Sequence, residues 1–567
     1  MPDVTSRKYL IPIAGITLGL YVCGLSSQYK LTPDSSEYVG TAESLVEGHG
    51  LEFNHVRGSK FPPLFALSMA GVTGLLGQDE VPILLMKLLQ TVLAVLLAVG
   101  TWRLAGKFVS ANLARLTGLL VLTNITVFQH TVYILSDMLY ACLTIWSILL
   151  LEESQTEGKG KWIGGLLLAS LAWLTRSVGL TLAGAIFMWS LTSTRTKSGW
   201  RKYALAALMP VFVALPWLWW RLSFPTGGLG YMEYWMEITG QKTLAGILVN
   251  RLSEMVPILL MRITQIVLNI ESRQFHWYFQ IPVLIVILTG YAVSWQKKPR
   301  LLSWYLLLYM TVMSVWFDQG TRFYLPVLPG LLIFAVLGLD ALRLKLTALS
   351  EIRKEIFTVL GLLVMCLPLW AGIFSGGRMA PMELVRTGGI YCLPALVVLV
   401  LMLSNRIARI SRSVIRQIAV LGFLGLYVLI QWGYTGTYAL LEHRVLRNRE
   451  PMLMGYQRYY QMGLWLKEHR DIPAPVLCRY SSIVHLVSGQ ITCQPQLTAL
   501  GNYQMFQSGQ AKSLMVLRQP ELAGPNYGID LEIDLIQQLL DAYGDNFRMI
   551  SLPDNERTYL VYEYAGK

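Results

Sequence analysis

Charged side chains are scarce in this chain, and five of them stand where apolar segments end. Asp34 lies in LTPDSSEYVG, a few residues after the first apolar run, and Asp137 in YILSDMLYACL, at the mouth of a later one. Lys60 opens KFPPL, Arg176 sits in LAWLTRSVGL, and Arg322 in DQGTRFYLPVLPG. Each has a plain structural use. Asp34 and Glu37 have the spacing of a helix start, Asp34 as cap and Glu37 three residues on. Ser136 and Asp137 can share a cap. Arg322 either pairs with Asp318 or faces an anionic ligand. Taken as a set they offer more. A carboxylate at the end of a membrane span is expensive unless it faces a cavity or a partner. Carboxylates can take the proton of an attacking hydroxyl, and Lys or Arg can hold a departing phosphate. Carboxylates also stabilise an oxocarbenium-like carbon. Carboxylate plus cation at a membrane surface therefore suits transfer of a group from a lipid phosphate.

The elements that position these residues are apolar helices. Of 567 residues, 54% are hydrophobic and 14% charged. A soluble domain carries about 25% charged residues, so lipid is the solvent for most of this chain. The net charge of +13 could suggest nucleic acid, but the basic residues lie in short runs between apolar stretches, the positive-inside pattern. Runs of about 17–20 apolar residues place about 13 spans, near 9–27, 82–102, 112–130, 135–151, 162–176, 178–193, 203–221, 276–295, 301–317, 323–342, 356–374, 389–404 and 417–440. Residues 162–193 read either as a hairpin closing at Arg176–Ser177 or as one long helix. Residues 252–270 contain Pro257 and Arg262 and read as an amphipathic helix at the outer surface. The basic runs around Arg103–Arg115, Arg195–Lys202, Lys297–Arg300, Arg343–Lys354 and Arg406–Arg416 then share one side. This predicts a multi-pass bacterial inner-membrane protein with a cytoplasmic N-terminus, its first span retained as an anchor. The C-terminal domain lies outside the cytoplasm.

Three outer segments are long: 28–81, 222–275 and 441–567. The first contains a helix with Tyr38, Ala42, Leu45 and Val46 on one face, expected to lie flat on the membrane; ordered in-plane helices are seldom mere connectors. The last has soluble-domain composition. Helices at 456–469 and 531–544, strands in APVLCRYS and HLVSGQITCQ, and a closing strand in RTYLVYEY predict a small α/β domain. The division is thus 1–440, a transmembrane domain with the first outer loop at 28–81, and 441–567. Cys478 and Cys493 are the two cysteines of that domain, and an oxidising compartment predicts a disulfide between them. The seven histidines have no metal-ligand spacing, and the lone outer ones read as surface residues. A carboxylate metal site in the first loop leaves a divalent metal ion as a candidate cofactor. No P-loop or HExxH motif occurs.

The order of these motifs resembles a known group. A short first span precedes Asp-x-x-x-Tyr (Asp34, Tyr38). Next come Glu47-Gly48-His49-Gly50, then Lys60 to Leu64 and Ser136-Asp137. Leu174 to Arg176 and Arg-x-Tyr-Leu-Pro-x-Leu-Pro (Arg322 to Pro329) follow. The pattern is similar to that of the GT-C membrane glycosyltransferases, in the branch of protein O-mannosyltransferases and lipid A aminoarabinose transferases, over residues 8–340. Phe61 stands between Lys60 and Pro62, where that family often has Lys-Pro-Pro. The resemblance implies a hexosyl- or pentosyltransferase that moves a sugar from a polyprenyl-phosphate carrier to an extracytoplasmic lipid, glycan or protein. It implies Asp34 as general base or acceptor-positioning group, with Asp137 supporting the site. Lys60, Arg176 and Arg322 would hold the lipid phosphate, with Glu37, Tyr38 and Tyr324 beside them as binding residues. The alternatives are a multi-span transporter or flippase of lipid-linked precursors, and a non-catalytic assembly protein. A transporter would bury charges near the bilayer midplane, often in related halves; midplane charges are few here, repeated halves are not evident, and the candidate residues share one face.

Overall fold

The computed structural model describes residues 7–26, 32–57, 61–77, 80–157, 159–193, 208–224, 243–268, 277–296, 300–316, 320–347, 428, 431–433, 435–436, 457–496, 498–517, 537–550 and 559–566. Its larger part is a bundle of apolar helices: α1 (Arg7–Cys23), α4 (Glu80–Ala105), α5 (Ala111–Leu122), α6 (Ile125–Val132), α7 (Asp137–Glu157), α8 (Lys159–Thr175), α9 (Leu180–Ser193), α10 (Met209–Ser223), α11 (Leu244–Leu268), α12 (Trp277–Gln296), α13 (Leu301–Met313) and α14 (Leu328–Thr347). Helices α2 (Pro33–Val46) and α3 (Leu64–Leu76) precede α4. The expected spans 356–374 and 389–404, and most of 417–440, lie outside the described residues.

The bundle is apolar on both its inner and outer faces, as lipid demands. Along α4, Ala94 and Leu97 are buried while Val92 and Leu96 face outward. On α10 and α12, Trp219, Leu222 and Leu288 are exposed. Helix α4 has 26 residues, roughly 39 Å at 1.5 Å per residue. Val81–Ala105 is by itself long and apolar enough to cross a membrane; most of the other apolar helices are shorter. Inside the bundle hydroxyls turn back on their own helices: Thr101 donates to Leu97 O at 2.7 Å and Ser190 to Ile186 O at 2.6 Å. No water is at hand in such a core, so a polar group must find its partner locally.

Two expectations change in detail, and the open choice over residues 162–193 falls to the break. The span 112–130 is two helices bent by 46°. Asn124 caps α6, accepting from Thr126 N–H at 2.9 Å, and its amide donates to Ile266 O of α11 at 2.9 Å. Residues 162–193 are broken at Arg176, which is extended (φ −147°, ψ 138°). Residues 252–268 belong to the continuous α11, whose Leu259, Ile263, Ile266 and Val267 enter the main core.

Helices α12 and α14 approach closely through Gly290 and Gly338. A Cβ on either would overlap a backbone carbonyl of the other helix, Phe334 O or Val286 O. Small residues at such crossings let backbones touch. At the end of the bundle away from Asp137, Glu153 pairs with Arg103 (2.9 Å) and Lys161 (2.5 Å). Glu152 beside it accepts from Leu301 N–H at 2.8 Å and lies 3.8 Å from Arg300. Arg103 and Arg300, from two basic runs distant in sequence, therefore share one end among the described residues.

The described residues from 457 onward hold α15 (Gln457–Glu468), α16 (Ser481–Ser488), α17 (Ala499–Gln507) and helical residues 537–543. Their strands are β3 (Val476–Leu477), β4 (Thr492–Cys493), β5 (Ser513–Leu517), β6 (Phe547–Met549) and β7 (Tyr559–Tyr564). They form one sheet in the order β4-β3-β5-β7-β6, parallel at β4-β3-β5 and antiparallel beyond. Residues 485–488, expected in a strand, close α16 instead. No disulfide joins Cys478 to Cys493. Leu477, not Cys478, is the register partner of Cys493. Side chains alternate along a strand, so the one-residue offset sends the two thiols to opposite faces. Cys478 lies in the core against α15 and α16, Cys493 in the core against α17.

Candidate active site

Helix α2 starts on Thr32, not on Asp34. Thr32 accepts from Ser35 N–H at 3.1 Å, and Ser35 Oγ accepts from Thr32 N–H at 2.6 Å, closing a capping box with Pro33 at the first helical position. A complete cap from Thr and Ser frees Asp34, expected as the cap, for another use. Its Oδ2 lies 2.7 Å from Arg322 Nη1. Arg322 comes from the 3₁₀ turn Thr321–Tyr324, which precedes α14. Asp318, the other candidate partner, lies outside the described residues, as does Lys60.

A second pair stands beside the first. Asp137 opens α7, and Arg176 occupies the break between α8 and α9. Arg176 Nη1 lies 2.7 Å from Asp137 Oδ1. The two pairs differ in depth: Asp137 is 1% and Arg176 17% exposed, against 19% for Asp34 and 28% for Arg322. Neither oxygen of Asp137 accepts a well-aligned hydrogen bond among the described residues, so Arg176 balances its charge. Phe323 joins the pairs. Its ring has the Arg322 guanidinium carbon 4.7 Å and the Arg176 carbon 5.5 Å from its centroid, both within cation–π range. Phe323 O accepts from Tyr309 O–H at 2.5 Å.

Tyr38 ties α2 to this floor. One turn on from Asp34, its hydroxyl lies 2.8 Å from Ser136 Oγ, and its ring packs on Phe61 (4.7 Å) and Phe65 (4.8 Å). Burial pushes the Tyr38 phenol well above its usual range, so it stays neutral and works as a hydrogen-bonding strut. Tyr324 is fully buried next to Phe323. Of the positions named from sequence, Asp34, Tyr38, Asp137, Arg176, Arg322 and Tyr324 thus lie on four elements that meet. Glu37 lies three residues on from Asp34 on α2, one turn along the same face.

Sequence reading missed Phe323, Tyr309 and His130. Phe323 had a signal, since it lies between Arg322 and Tyr324 in the motif. His130, at the end of the expected span 112–130, is buried. Its Nδ1 lies 2.6 Å from Thr126 O, so that nitrogen donates and Nε2 carries the lone pair. Among the described residues no three His, Cys, Asp or Glu side chains come together, and each carboxylate of the site is held by an arginine. This donor set does not fit a divalent ion.

The arrangement is two carboxylates and two guanidiniums at the end of an apolar bundle, one pair deep and one near the mouth. Residues 60–220 match the family dolichyl-phosphate-mannose-protein mannosyltransferase. The whole chain is similar to solved structures of ArnT from Cupriavidus metallidurans. In the apo state the identity is 15%, with 98% of each chain covered and a TM-score of 0.54. Bound to undecaprenyl phosphate it is 14%, with 98% of each chain covered and a TM-score of 0.56. No curated protein sequence matches the chain. In fold, the chain is similar to these solved structures over nearly its whole length.

Proposed function

We propose that the protein transfers a sugar from a polyprenyl-phosphate donor to a hydroxyl acceptor on the extracytoplasmic side of a bacterial inner membrane. The observation that carries this reading is the partly exposed Asp34–Arg322 pair beside the more deeply buried Asp137–Arg176 pair. The solved relative carrying undecaprenyl phosphate supports the choice of donor. The segregation of Arg103, Lys161 and Arg300 to the opposite end supports a site that faces away from the cytosol.

In this reading the donor phosphate competes with Asp34 for Arg322, and the carboxylate is released to act as base. Asp34 takes the acceptor's hydroxyl proton while the oxygen bonds to the anomeric carbon. The carbon–oxygen bond to phosphate breaks, and its electron pair stays on the phosphate. Arg322, Arg176 and Lys60 hold the charge that develops there. Asp137 keeps Arg176 in place, and Phe323 spaces the two guanidiniums. Glu37, Tyr38 and Tyr324 line or support the donor site.

The test is mass spectrometry of envelope lipids and glycans from a deletion strain complemented with the native gene or with Asp34→Asn. The expected result is one species that lacks a hexose or pentose mass in the deletion and returns only with the native gene. Loss of the base is expected to slow transfer by about 10²–10⁴-fold. Equal restoration by Asp34→Asn overturns the assignment of Asp34 and revives the transport reading.

A further inference from the structure

Between α2 and α3 the chain forms a minimal hairpin, β1 (Glu52–Phe53) with β2 (Val56–Arg57). Its two loop residues, Asn54 and His55, both have positive φ (53° and 60°), as a two-residue hairpin turn of the primed type requires. Asn tolerates that conformation, but here its side chain does a second job. Nδ2 donates to Thr492 O at 2.5 Å, and Oδ1 accepts from Thr492 N–H at 3.2 Å. Thr492 lies on β4, an edge strand of the C-terminal sheet. The amide therefore imitates one residue of a neighbouring strand and satisfies both backbone groups of Thr492.

The contact continues into α2. The Phe53 ring meets the His485 ring edge-on, centroids 5.1 Å apart at 89°. On its other side Phe53 fills the space beside Gly40 of α2, where any Cβ would run into the ring. Leu486 of α16 packs into the same cluster as Tyr38, Val39 and Ala42. His485 is itself fixed, its Nδ1 2.7 Å from Gln490 O, while the Gln490 amide donates to Leu466 O at 3.0 Å. A continuous path of contacts thus runs from the C-terminal sheet through Asn54 and Phe53 to the middle of α2, one to two turns from Asp34.

We propose that the C-terminal domain positions Asp34, and that Asn54 is the residue through which it does so. This rests on the reading of Asp34 as base. A helix of 14 residues is marginal alone, so the set of α2 over Arg322 depends on what clamps it. Tyr38–Ser136 clamps one side, and the Asn54–Thr492 pair with Phe53 and His485 clamps the other.

The test uses full-length protein in lipid nanodiscs, with two variants on opposite sides of the contact. Asn54→Gly keeps the left-handed backbone and removes the amide. His485→Ala removes the ring that packs on Phe53 and His55 and leaves every residue of the hairpin and α2 in place. Hydrogen–deuterium exchange over 33–46 is expected to quicken by about tenfold in each, the effect of losing one or two net hydrogen bonds or an aromatic contact. Transfer should show kcat reduced about tenfold with the donor KM within about twofold, since Asp34 is displaced while the donor's own contacts remain. Faster exchange confined to 52–57, with 33–46 unchanged in both variants, overturns the proposal. If the native protein transfers no sugar, the functional reading fails, and the exchange over 33–46 alone then upholds or overturns the positioning role.

Discussion

Asp137–Arg176 and Asp34–Arg322 have the same chemistry and the same 2.7 Å separation, yet burial gives them different work. Breaking a buried pair leaves a charge that neither water nor protein balances. Arg176→Ala should therefore destabilise the protein by about 3–5 kcal/mol, read as a fall in thermal midpoint in detergent. The pair nearer the mouth is partly solvated, and its net contribution is about 0–1 kcal/mol. Arg322→Ala should leave the midpoint within a few degrees and lower transfer by about 10²–10³-fold, the loss of one charge-stabilising donor. A large stability loss in Arg322→Ala with normal transfer would reverse the two roles.

At the scale of elements, α2 carries a pH dependence of its own. Burial, with Glu47 one turn on, pushes the Glu43 carboxyl up to about 7 from 4.5. The folded state then keeps a proton that the unfolded chain has released. Stability therefore falls as pH rises from about 4.5 to about 7, and the loss is complete above that. Glu43→Gln should raise the thermal midpoint at pH 8 and leave it unchanged at pH 4. An equal shift at both values would mean that packing, not protonation, is responsible. The same helix shows why caps matter to function. Thr32 and Ser35 satisfy its first turn, so Asp34 can point its charge at Arg322.

For the molecule as a whole, the C-terminal sheet has hydrophobic clusters of its own on each face, and the thiols report on them. Burial pushes the Cys493 thiol up to about 12, so it is protonated and slow to alkylate at pH 8. Intact-mass analysis without reductant should show no Cys478–Cys493 disulfide. Alkylation of both should follow denaturation alone. A requirement for reductant would show the expected bridge after all, and with it a strand offset different from Leu477 opposite Cys493.

Composition by itself pointed to lipid around most of this chain, because an apolar majority with so few charges has too little polar surface to present to water. Basic runs between apolar segments gave one face to Arg103 and Arg300, and these two meet the neighbouring Glu153 and Glu152 at one end of α7. The types Asp34, Asp137, Arg176 and Arg322 were legible because charge at the end of an apolar helix is costly and so informative. Pairing was not legible. Local spacing made Asp34 a cap and set Asp318 against Arg322, while contact across the fold chose Arg322 for Asp34. The break at Asn124 depends on Ile266, and the place of Asn54 depends on Thr492. The parity that separates Cys478 from Cys493 is a property of strand register. Each is a long-range contact whose partner the local sequence does not specify, so only the tertiary structure could decide it.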